Sequence, residues 1–187
     1  MKKIFYLIFL SFISNLSGFS QNTEANDSIL PWNLSRLLKW SDFRGKVDPN
    51  KFGSALTSHK IEVLPANIVV DRNDNIQGYE NLTVQAQFYR NSSWTVTNSQ
   101  SILDHEQLHF DIAELFARKI RKEFSGFKAN KIVTFSVYLD CYILLWNDSR
   151  NMQERYDSET RNGQDISKNQ LWATEISKQL ENLDNFK

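Results

Sequence analysis

The segment His105-Glu106-Gln107-Leu108-His109 sets two imidazoles four residues apart, with a carboxylate next to the first. On a helix that spacing projects both rings from one face, a turn apart. Two ring nitrogens can then reach one tetrahedral zinc ion at about 2.0 to 2.1 Å. Glu106 stands beside such a metal rather than on it, and a carboxylate there can take a proton from a water whose pKa the metal lowers toward ~7. The chemistry implied is hydrolysis, most often of a peptide bond, with zinc as cofactor, His105 and His109 as metal ligands and Glu106 as general base. The competing account is a pair of solvent-facing helical histidines. Context weighs against it, because the motif falls on a predicted helix that follows predicted strands. The third histidine, His59, falls in a predicted strand and reads as structural rather than as a ligand.

The helix that must carry the motif begins at Ser99 or Ser101, with Asp104 as the carboxylate of a capping box. Leu108, Ile112, Leu115, Phe116, Ile120 and Phe124 recur at helical spacing up to Gly126, a stop signal. Ahead of it, strands are expected over 55–64, 66–70 and 82–89, with a short fourth over 94–96. In the third of these Leu82, Val84, Ala86 and Phe88 alternate with polar residues. Residues 71–75 form a turn cluster. Behind it, 131–146 is rich in β-branched and aromatic residues, yet Ile132, Phe135, Leu139, Tyr142, Ile143 and Trp146 keep a period near 3.6 and predict a helix. Arg161-Asn162-Gly163 breaks the chain, and Leu171, Trp172, Ile176, Leu180 and Leu183 mark a final helix. The expected fold class is α+β: a small N-terminal, mostly antiparallel sheet, a long helix bearing the motif, and a helical C-terminal part.

Twenty-two basic residues balance twenty-two acidic ones, which leaves no long-range field to draw in nucleic acid. Apolar content of 41% and aromatic content of 13% can bury one ordinary core, expected over 34–187. Met1-Lys2-Lys3, an apolar run over 4–13 broken by Ser11, and the small residues Gly18 and Ser20 read as a signal peptide over 1–20, cleaved before Gln21. Ten or so apolar residues fall short of the about twenty that span ~30 Å of hydrocarbon. The mature chain is thus expected to be exported, periplasmic or secreted, without an integral membrane span. Residues 21–33 read as a flexible leader. Cys141, the one cysteine, is expected to be a buried thiol.

Three segments occur in one order: Trp40-Ser41-Asp42-Phe43-Arg44-Gly45, the run from His105 through Phe110-Asp111-Ile112-Ala113-Glu114 to Leu115, and Tyr156-Asp157-Ser158-Glu159-Thr160. Together they resemble the bacterial family catalogued as domain of unknown function 922, a set of exported zincin-like proteins. The resemblance covers about residues 36 to 180. It implies a zincin-like α+β fold and zinc peptidase activity on a peptide or protein substrate. The middle segment is shared by many zinc peptidases, so the flanking two carry the specificity.

In that family a histidine commonly precedes the glycine after the Tyr-Asp-x-Glu-Thr run, whereas here Asn162 precedes Gly163. If that histidine is the third ligand, a carboxylate must replace it. Glu159 is then expected to complete the metal set, with Asp157 as the fallback and helix capping by both as the plain account. Tyr156 could donate to an oxyanion, although core packing is the favoured role. Asp104, Asp111 and Glu114 are expected to be solvated helix charges unless one orients a ligand imidazole. Asp140, set among apolar neighbours, needs a partner, either a ligand histidine or an arginine. The alternative function is a non-catalytic exported module, zinc-binding or protein-binding, derived from a zincin. A structural zinc clamp is a third option, against which Glu106 speaks, since a structural site needs no base.

Overall fold

The computed structural model describes residues 27–47 and 53–187; the expected signal peptide and the start of the leader lie outside the described residues. Alternation of apolar and polar side chains makes β6, Thr83–Tyr89, the middle strand of a sheet, with Val84, Ala86 and Phe88 buried on one face. It pairs antiparallel with β3, His59–Leu64, and with β1, Ile29–Pro31, in the order β1-β6-β3. The register sets Ile61 opposite Ala86 and Ile29 opposite Tyr89. Part of the expected leader is therefore structured. Residues 29–31 carry no periodicity, but the ladder to β6 satisfies their backbone, and Trp32 Nε1 donates to Asp111 at 2.8 Å. Two short ribbons complete the strands: β2, Ala55–Leu56, with β7, Trp94–Thr95, and β4, Val69–Val70, with β5, Ile76–Gln77. Between β4 and β5 the turn cluster closes as expected, Asp71 Oδ1 accepting from the Asn73 and Asn75 amides.

Helix α1, Gln100–Ala129, crosses the buried face of the sheet. Ile112, Ala113, Leu115, Ala117 and Ile120 are fully buried along it, between β3 and β6 on one side and two further helices on the other. It starts after Ser99, but Asp104 closes no capping box and instead accepts from Gln100 at 2.7 Å. It also runs a turn past the expected stop at Gly126. Helix α2 spans Phe135–Thr160, starting later and ending much later than expected. Past 146 the face toward α1 is too sparse to show a helical period in the sequence, since only Ser149, Tyr156 and Thr160 are buried there. The Arg161-Asn162-Gly163 break is real, with left-handed φ values of 52°, 54° and 80°. Helix α3, Ile166–Asn182, buries Trp172, Ile176 and Leu180. Among the described residues the architecture is α+β, a small antiparallel sheet with three helices. Among the described residues no helix is long and apolar enough to cross a membrane.

The Trp40-Ser41-Asp42-Phe43-Arg44-Gly45 segment is architectural. It turns once over Trp40–Asp42 and buries Asp42, which accepts from Arg36, Arg90 and the Lys39 amide. Phe43 packs edge-on against Phe88 at 5.2 Å. Gly45 lies so close to the 91–93 backbone that a Cβ there would stand 2.8 Å from the Ser93 carbonyl oxygen.

Candidate metal centre

Helix α1 presents His105 and His109 one turn apart, and α2 brings Asp157 against them. The two Nε2 atoms are 3.1 Å apart, and Asp157 Oδ1 is 3.1 Å from that of His105 and 2.9 Å from that of His109. Ligands of a tetrahedral zinc at 2.0 to 2.1 Å stand roughly 3.3 Å from one another, so these three atoms lie at nearly ligand spacing. The cluster could hold a metal ion.

The outer ring nitrogens explain the orientation. His105 Nδ1 lies 3.3 Å from Asn169 Oδ1 on α3, and His109 Nδ1 lies 2.5 Å from Gln153 Oε1 on α2. Amide oxygens only accept, so each Nδ1 carries hydrogen and each Nε2 turns a lone pair inward. Lone pairs from two nitrogens and a carboxylate converge there, and positive charge among them would stabilise the arrangement. The ionisation tendencies agree. Burial pushes the Asp157 carboxyl up, but the imidazoles of His105 and His109 beside its Oδ1 outweigh it and hold Asp157 well below the usual carboxylate range. Burial pulls His109 down, but the hydrogen bond and charge of Asp157, with the charge of Glu106, raise it above its ordinary value. A proton takes there the place that a cation would fill.

No family model, curated protein or solved structure matches the chain.

Glu106 is buried on α1, and its charge acts on both His109 and Tyr156, so its carboxylate neighbours the cluster without being one of its donors. Its carbonyl accepts from the Thr57 hydroxyl at 3.2 Å, which ties this turn of α1 to the strand segment before β3. Glu159, the favoured third donor, lies elsewhere: its Oε2 accepts from Trp172 Nε1 at 2.9 Å. Because α2 stays helical to Thr160, residues 157 and 159 are separated by about 200° of rotation, and only one can face α1. Asp157, the fallback, is the one that does. Tyr156 is fully buried, with its ring stacked 4.6 Å from that of His105 and its hydroxyl donating to Asn169 Oδ1 and, at 3.3 Å, to the His105 carbonyl. That is the packing role, and it leaves no free donor for an oxyanion. Asn162 is exposed and only its backbone amide is engaged here, donating to the Asp157 carbonyl at 2.8 Å.

The remaining carboxylates stay off the imidazoles, though not all are solvated. Asp111 accepts from Trp32 and Gln107, and burial raises its pKa. Glu114 is buried against Arg118 and Arg121. Asp140 is exposed and needs neither proposed partner. Cys141 is half-buried, its thiol pushed up by burial to about 11.

Sequence reasoning missed three site residues. Gln153 and Asn169 are neutral amides without a motif of their own, although Gln153 sits one turn before Asp157 on the same face of α2. Gly163 is the third. A Cβ there would stand 2.8 Å from His105 Cγ, so the left-handed turn forms a wall behind that ring. His59, on β3, sets its Nε2 3.3 Å from Gln153 Nε2, and burial with the charge on His109 holds it down to about 4. It is a neutral neighbour of the cluster and not one of its donors. It also borders a cavity of about 640 Å3 between β3 and α2, walled by Ile61, Val63, Phe124, Tyr138 and Trp146.

Proposed function

We propose that the protein is an exported zinc-dependent peptidase of zincin-like fold, related to the family that its three segments resemble. The observation that carries this reading is the convergence of two Nε2 lone pairs and one carboxylate oxygen within about 3 Å, beside a buried glutamate next in sequence to a ligand. His105, His109 and Asp157 would hold zinc, which when bound supplies Lewis acidity, polarising a carbonyl and lowering the pKa of a water toward ~7. Glu106 takes the water's proton on its carboxylate and returns it to the departing amine. Asp157 is 40% exposed, which favours a site approachable from solvent over a closed structural clamp. Strand β3 is an edge of its sheet and borders the apolar cavity, a setting suited to an extended peptide with apolar side chains. Tyr142 Oη donates to the Ile61 carbonyl at 2.7 Å and covers part of that edge.

Purified mature protein, whose N-terminus should lie near Gln21, is expected to carry stoichiometric zinc at neutral pH. Glu106→Gln should retain the metal and lose hydrolysis of an unfolded protein substrate by at least about a hundredfold. His105→Ala should lose both. Absence of zinc, or full activity in Glu106→Gln, would defeat the proposal. Bound zinc with no hydrolysis by the parent would point to the non-catalytic zinc-binding module instead.

A further inference from the structure

A primary amide can face an imidazole with either its oxygen or its nitrogen, and at Gln153 two other contacts settle which. Its Nε2 donates to the His109 carbonyl at 2.9 Å. A carbonyl only accepts, so turning the amide over would press two oxygens together. The second N–H faces His59 Nε2 at 3.3 Å, and a neutral imidazole accepts there. The amide oxygen is left for His109, whose Nδ1 must carry the hydrogen and whose Nε2 must offer its lone pair toward His105 and Asp157. Free imidazole in water favours hydrogen on Nε2, the arrangement that cannot ligate through that atom. The clamp therefore works against the ring's intrinsic preference.

We infer that Gln153 is a positioning residue that selects the metal-ligating tautomer of His109, and that His59 locks Gln153 in the orientation required. The purpose of this arrangement rests on the metal-binding reading above, but the tautomer is a property of the metal-free chain. Two elements cooperate in it: His59 comes from β3, in register with Phe88 of β6, and Gln153 comes from α2. The position of the sheet is thus coupled to the inward nitrogen of a ligand on α1.

The test reads the tautomer and the metal separately. Long-range 1H–15N NMR of the metal-free mature protein, at alkaline pH where imidazoles are neutral, should show His109 with hydrogen on Nδ1. In Gln153→Leu the signal should move toward the Nε2–H form, and zinc affinity, measured against a chromophoric chelator, should fall by about ten- to a hundredfold. His59→Leu should give a mixed tautomer and a smaller loss, while His59→Gln, which keeps an acceptor for the amide, should restore both readouts. An Nε2–H form in the parent overturns the inference, as does an unchanged tautomer in both leucine variants. If Gln153→Leu does not fold, the parent spectrum and the two His59 variants decide the matter. An Nδ1–H parent that binds no zinc would sustain the clamp and defeat the metal reading.

Discussion

A methyl group at position 163 would meet His105 Cγ at 2.8 Å and Cβ at 2.9 Å, on a backbone already at φ +80°. Gly163→Ala is therefore expected to destabilise the fold by about 1 to 3 kcal/mol and to weaken zinc binding as the ring is pushed aside. Urea unfolding and a zinc titration of the same sample check both parts. The two carboxylates of the Tyr156-to-Thr160 run should separate cleanly. Asp157→Ala removes an oxygen 2.9 Å from His109 Nε2 and should cost at least about tenfold in zinc affinity. Glu159→Ala loses the hydrogen bond from Trp172 and an exposed ion pair with Arg155, together worth about 1 kcal/mol of stability, and should bind zinc like the parent. Equal losses in the two variants would remove Asp157 as the third donor. Sequence alone put Glu159 ahead of Asp157, because a helix expected over 131–146 gave neither residue a rotation relative to the two imidazoles. Once α2 is seen to continue through them, the helical rotation assigns one to each side.

Strand β3 carries its own titrating group. Burial, with the charge on His109, holds His59 down to about 4, whereas a histidine in the unfolded chain takes its proton near 6.5. Between these values the unfolded chain binds more protons, so this group's contribution falls as pH falls through that window. Its neighbours add terms of both signs. The raised His109 stabilises at acid pH and loses that contribution as pH rises, while the depressed Asp157 stabilises above the ordinary carboxylate range and loses its contribution on acidification. Comparison with His59→Gln isolates the strand's share. Between about pH 7 and about pH 5 the parent should lose up to about 2 kcal/mol more unfolding free energy than the variant, measured in urea without metal. Parallel curves for the two proteins would show that His59 is not held neutral.

Just past β1, Trp32 adds a tie between the sheet and α1, in a stretch whose sequence alone suggested a loose leader. Trp32 packs on the core, receives the Arg118 guanidinium over its ring at 5.3 Å and donates to Asp111. Among the described residues the half-buried Asp111 accepts from Trp32 and Gln107 and is raised by burial, so losing the indole leaves its carboxyl poorly satisfied. Trp32→Ala is expected to cost about 2 to 4 kcal/mol in urea unfolding, and Trp32→Phe to recover the packing share but not the hydrogen bond. A cost within about 0.5 kcal/mol would mean that β1 is dispensable and that the leader extends past it.

The two-histidine face, the strand over 83–89 and the break at 161–163 were all legible in the chain, because helical spacing, strand alternation and left-handed turn residues are local properties. Glu106 was legible for the same reason, since it adjoins a ligand in sequence. Local pattern could not show that 29–31 would find β6, nor that a polar stretch past 146 would stay helical by lying against α1. Nor could it show which carboxylate, which amides and which glycine would gather around the imidazoles. Asp157, Gln153, Asn169 and Gly163 come from α2, α3 and the turn between them. They reach His105 and His109 only when those helices pack on α1, where burial raises the cost of any polar atom left without a partner.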